Sequence, residues 1–146
     1  MKNIFVWLFA IVLVSTQGIA QSSKTITQSI PLDGANEVVF NIPAKVELVE
    51  WNNDYMRVET TVTLAHLSET ILKSIIMSGR YHLDAKNVDG VVTLTSPKSE
   101  LVVMVGGKEM MDEVSYKVML PKKTNFVQPL QPKAVPAVGA SMPKTF

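Results

Sequence analysis

From Asp54 to Leu64 the chain reads DYMRVETTVTL, and its side chains alternate without a break. Met56, Val58, Val62 and Leu64 share one parity with Thr60. Arg57, Glu59, Thr61 and Thr63 share the other. Successive side chains leave a strand on opposite faces, so this pattern is a strand with one face in a core and one in water. The same period recurs along the chain: Ile26 and Ile30 with Gln28, then Val38, Phe40 and Ile42, then Val92 and Leu94, then Val114, Tyr116, Val118 and Leu120. Tyr81, Leu83 and Ala85 predict a further strand over 80–86. The unbroken apolar run LVVMV (101–105) predicts a strand in the middle of the sheet system. Strands at roughly ten-residue spacing exclude a helical bundle and leave an all-β sandwich, barrel or short solenoid.

Turn residues punctuate these runs. Asp33-Gly34 follows the first strand and Ile42-Pro43 ends the second. Asp89-Gly90 predicts a hairpin between 80–86 and 91–95, and Gly106-Gly107 predicts another. Asn, Asp and Gly supply the positive φ that tight hairpins need. One segment departs from the period. LSETILKSIIMSG (67–79) puts Ile71, Leu72, Ile75 and Ile76 on one helical stripe, with Ser68 as N-cap and Gly79 just past the end. A single amphipathic helix over 68–78, docked on the sheet, is expected.

The two ends read differently from the middle. Lys2, the apolar run Ile4 to Val14 and the small residues Gly18 and Ala20 form a secretory signal peptide, 1–20, with a cut after Ala20. The apolar run is shorter than the ~20 residues a bilayer span needs. An exported chain, periplasmic or on the cell surface, is expected. The chain has no cysteine. That removes disulfides, thiolate metal sites, thiol catalysis and lipid attachment at the cut site, so a packed core must hold the fold. The β-rich domain is placed at 24–126. Residues 127–146 hold four prolines, small residues and lysines without periodicity, and are expected to be a disordered tail. From Pro121 onward there are four lysines (Lys122, Lys123, Lys133, Lys144) and no acid. Residues 21–120 carry nine basic and thirteen acidic groups, so a mildly acidic body meets a basic tail. Without the signal peptide the whole is formally neutral, which excludes a general nucleic-acid footprint. Membrane contact, if any, falls to the tail.

Candidate chemistry is sparse. His66 and His82 lack the spacing of a zinc site, and no metal or cofactor is expected. No GxSxG arrangement occurs, Ser78 and Ser96 lack a Lys three residues on, and VGGK (105–108) lacks the rest of a phosphate loop. Glu47, Glu59 and Asp84 face outward on separate strands, so a hydrolase working with paired carboxylates is one alternative. The strongest ligand-site candidate is Trp51, Asn52, Asn53, Asp54 and Tyr55: two aromatics flanking two amides and an acid, suited to a sugar or a calcium ion. The competing reading makes Asn52-Asn53-Asp54 a turn that closes a hairpin, for backbone reasons alone.

KVELVEWNNDYMRVETTVTL (45–64), SGRYHLDAKNVDGVVTLTSP (78–97) and EVSYKVMLP (113–121) together resemble a recurrent unit of the "putative auto-transporter adhesin" domains, among them the GIN-type head domain. The resemblance covers about residues 24–125. It implies an exported fold of stacked strands, often solenoid-like, and no catalytic residues. The chain departs from the family in its shortness and in the helix at 68–78, which breaks the repetition a long solenoid needs. The expectation is a single antiparallel-rich β domain, sandwich-like or a short solenoid. It would be a non-enzymatic envelope or surface protein that binds a protein or glycan partner. A component of an envelope complex, touching an acidic partner or anionic lipid through its basic tail, is the other alternative.

Overall fold

The computed structural model describes residues 21–129. The expected signal peptide (1–20) and residues 130–146 of the expected disordered tail lie outside the described residues. Ten strands and one helix follow in order: β1 (Gln21–Pro31), β2 (Glu37–Phe40), β3 (Lys45–Trp51), β4 (Tyr55–Ala65), α1 (Glu69–Met77), β5 (Asp84–Val88), β6 (Val91–Thr95), β7 (Met104–Val105), β8 (Lys108–Glu109), β9 (Asp112–Pro121) and β10 (Asn125–Val127).

Two four-stranded sheets form, ordered β1-β4-β9-β3 and β10-β2-β6-β5, with β7 and β8 as a separate hairpin. Antiparallel pairing predominates, but β3 runs parallel to β9, and β2 runs parallel to both β6 and β10. Neither sheet closes into a barrel. A solenoid adds each rung beside the one before it. Here β2, the earliest strand of its sheet, lies between β6 and β10. The architecture is therefore a mixed, sandwich-like β domain.

The alternation in β4 does what its pattern demands: Met56, Val58, Thr60, Val62 and Leu64 are all buried, and their neighbours are not. The first sheet is long and the second is short, so one inner face has two coverings. Over one half, Val38 and Phe40 of β2 and Val92 and Leu94 of β6 pack on Met56, Val58, Tyr116, Val118 and Leu120. Phe40 meets Tyr116 edge-to-face at 5.1 Å. Over the other half, Val62 and Leu64 are covered by Leu72 of α1, Tyr81 and Met110, with Ile75 and Ile76 alongside. Ser68 caps the helix, its hydroxyl accepting from the Ile71 N–H, and Gly79 leaves it at φ +76°. Glu69 joins Lys24 of β1 to Lys73 of the helix, each at 3.2 Å.

Asp89-Gly90 and Gly106-Gly107 close two-residue hairpins with both residues at positive φ, as their sequences require. Three expectations fail. The strand expected over 80–86 starts only at Asp84. Tyr81 and Leu83 are buried from the turn that precedes it, and Ala85 is exposed. The buried residues mimic a strand's parity because a turn drops them onto the helix-covered and sheet-covered cores. The run 101–105 is not central. Leu101, Val102 and Met104 are 59–69% exposed, and only Met104–Val105 form a strand. An apolar run cannot say whether another layer covers it. Finally, the β3–β4 connection is not a hairpin, because β9 lies between those strands.

Candidate functional site

Trp51 is the last residue of β3 and Tyr55 the first of β4. Trp51 is level with Pro121 at the end of β9, and Arg57 is level with Met119. Residues 52–54 thus arch over the end of β9. The Trp51 indole N–H donates to the Tyr55 carbonyl at 2.9 Å and closes the arch. The two rings meet edge-to-face, with centroids 4.8 Å apart and planes at 73°. Such pairs contribute ~1 kcal/mol beyond their buried area. Both rings are half-buried, while Asn52, Asn53 and Asp54 are exposed. The turn expected here is present, as an arch. It also brings all five candidate residues into one cluster whose rings keep part of their surface in solvent. Among the described residues, no group of three or more acids and histidines is placed to hold a metal ion.

Residues level with one another on paired strands share a face. The outer face of the first sheet therefore extends the cluster in rows. Ser29, Arg57, Met119 and Val49 form the row nearest the aromatic end. Thr27, Glu59, Lys117 and Glu47 form the next, and Thr25, Thr61, Ser115 and Lys45 the one after. Hydroxyls pair across it: Thr25 with Thr61 at 2.9 Å and Ser23 with Thr63 at 3.1 Å. The face is polar and rich in Ser and Thr, with an aromatic pair at one end and a hollow of about 340 Å³ among Thr25, Glu47, Glu59, Thr61 and Lys117. Arg57 stands apart on it. Its Nε is buried without a hydrogen-bond partner, and it makes no ion pair among the described residues.

Two of the three outward carboxylates come together and one does not. Glu47 and Glu59 share a row, but Lys117 stands between them, its Nζ 3.9 Å from Glu47 Oε1. Two strand spacings put their backbones ~10 Å apart, with a cation where a scissile bond would have to sit. Asp84 lies on the other sheet, 3.9 Å from the exposed His82. His66 is exposed, at φ +61°.

A second cluster, Arg80, Tyr81 and Asp112, had no signal in the sequence. Arg80 is 7% exposed. Its Nε donates to Asp112 Oδ2 at 3.2 Å, and its terminal nitrogens donate to the carbonyls of Lys98, Ser99 and Leu101 at 2.6–3.2 Å. The Tyr81 hydroxyl donates to the same Oδ2 at 2.7 Å, and the guanidinium lies 5.8 Å from the Tyr81 ring centre. Burial, and then the bond to Asp112, push the Tyr81 phenol well above its ordinary range. Every strong donor here has a protein acceptor, so the cluster is a clamp that holds the segment 97–103 against the helix-covered core. The parity of Arg80, opposite to Tyr81 and Leu83, pointed to solvent, while Asp112 shares the core parity of Val114 and Tyr116.

Fold and face together define a small, mixed β-sandwich with a polar, aromatic-ended sheet face. No family model matches the chain, and no curated protein matches it. Among solved structures it is similar to a "putative cell adhesion protein" from Clostridium sporogenes, at 8% sequence identity and a TM-score of 0.39. That match covers 73% of this chain and 46% of the other, so the chain spans less than half the length of that structure. The kinship with auto-transporter adhesin domains over 24–125 thus remains an expectation drawn from the residues.

Proposed function

We propose that this chain is an exported, non-enzymatic binding domain of the bacterial envelope or surface, with an adhesion-like role. Its ligand surface would be the outer face of the first sheet around Trp51 and Tyr55. The observation that carries the reading is the aromatic pair at the end of a Ser/Thr-rich face, with Arg57 Nε unpartnered two residues from Tyr55. Amphipathic rings beside short polar groups suit a glycan, whose ring faces are apolar and whose hydroxyls need donors and acceptors. The signal peptide supports export. The lysine between Glu47 and Glu59 weighs against a hydrolase.

Affinity electrophoresis of the purified chain through gels containing soluble bacterial envelope polysaccharides tests the reading. Retardation by at least one polysaccharide is expected, weakened roughly tenfold by Trp51→Ala, the equivalent of about 1.4 kcal/mol. Retardation that survives Trp51→Ala unchanged, or none in any gel, would overturn it.

A further inference from the structure

A groove of about 580 Å³ opens at the other end of the first sheet, far along β4 and β9 from the Trp51 arch. Its wall is largely apolar: Ile42, Pro43, Ala44, Met111 and Val114 contribute, and Met111 is 82% exposed. Its carboxylates free to meet a cation are Glu100 and Glu113, since Asp112 is already paired with Arg80, and Lys45 is its one lysine. The described chain ends beside it. Gln128 Nε2 donates to the carbonyls of Ile42 and Ala44, at 3.3 and 2.8 Å, and so fastens β10's exit to the groove wall.

We propose that this groove is a docking site for the chain's own C-terminal segment, Leu130–Phe146. Three facts choose that occupant. The segment starts one residue beyond Pro129, at the groove's edge. It carries Lys133 and Lys144 and no acid, the complement of the groove's charge. It supplies apolar side chains, Leu130, Val135 and Val138 among them, for an apolar wall. Covalent geometry keeps Lys133 within ~14 Å of Pro129. A tethered segment competes at an effective concentration of the order of millimolar, so even a weak groove fills in cis before a dilute partner reaches it. The lysines that would otherwise meet an acidic partner or anionic lipid are then held by the chain's own carboxylates.

Met77 provides an internal reference. It is 87% exposed on α1 against 82% for Met111, so an empty groove leaves the two thioethers equally open to oxidant. The test is dilute hydrogen peroxide on the full exported chain, with the sulfoxides counted by peptide mass. Expected is Met111 oxidation at least threefold slower than Met77, independent of protein concentration. Lys133→Glu should bring the two rates together, and adding Glu113→Lys should separate them again. Equal rates in the unsubstituted chain would overturn the proposal. So would protection that grows with protein concentration, which would assign the groove to a second copy.

Discussion

Two clusters of aromatic and polar side chains flank β9, and they differ in how fully their hydrogen-bonding groups are used. Around Arg80, the guanidinium, the Tyr81 hydroxyl and Asp112 all spend their bonds on one another or on the carbonyls of 98–101. Around Trp51 only the indole N–H is committed. The amides of Asn52 and Asn53 and the Asp54 carboxylate face solvent, and Arg57 Nε is left without a partner. Buried polar groups need partners. A saturated cluster holds structure, whereas an unsaturated one at the surface keeps bonds to offer a ligand. Composition does not separate the two. Saturation does.

Substitutions that hit one cluster and spare the other should break this contrast if it is wrong. Arg80→Met carries the largest expected effect. It removes the cation paired with the partly buried Asp112, which keeps only the Tyr81 hydroxyl, and takes a donor from the carbonyls of Lys98, Ser99 and Leu101; it should cost ~3 kcal/mol in urea unfolding, with faster hydrogen exchange over 97–111. Polysaccharide retardation should persist in the folded fraction. Next comes alkaline pH. Burial raises the Tyr116 phenol to about 12, and Tyr81 shifts the same way. Both folded values lie above the unfolded one near 10, so the folded chain holds protons that the unfolded chain releases. Their contribution is complete below pH 10. It falls as pH rises toward 12, by ~1.4 kcal/mol per unit for the buried Tyr116. Tyr116→Phe should flatten that fall in urea titrations at pH 9.5–11.5.

The Trp51 end should respond in the opposite sense. Trp51→Ala removes the ring pair and one hydrogen bond at the surface, so unfolding should shift by ~2 kcal/mol, less than for Arg80→Met, while binding weakens tenfold. Arg57→Gln should leave stability within ~0.5 kcal/mol and weaken binding a few-fold, measured by the same retardation.

The strands that alternate were readable because one face of each is buried. Met56 to Leu64 and Tyr116 to Leu120 lie as their parity demands. The helix was readable from its stripe and caps, and the hairpins from Asp-Gly and Gly-Gly. Pairing was not readable. Nothing in β3 or β4 says that β9, fifty residues later, will slot between them, set Lys117 between Glu47 and Glu59, and turn an expected hairpin into an arch. The Arg80 clamp was hidden for the same reason, since its partners come from four distant positions. Of the candidate site, the five residues 51–55 were named from sequence, and the parity of Arg57 and Glu59 was clear. The contributions of β1 and β9 to the same face needed the register.

Parallel measurement of unfolding and polysaccharide retardation in Trp51→Ala and Arg80→Met tests the central contrast most directly. The account predicts a crossed result: Trp51→Ala loses binding and no more than ~2 kcal/mol of stability, and Arg80→Met loses ~3 kcal/mol and keeps binding in the folded fraction. Loss of both properties in both variants, or loss of binding in Arg80→Met alone, would contradict it.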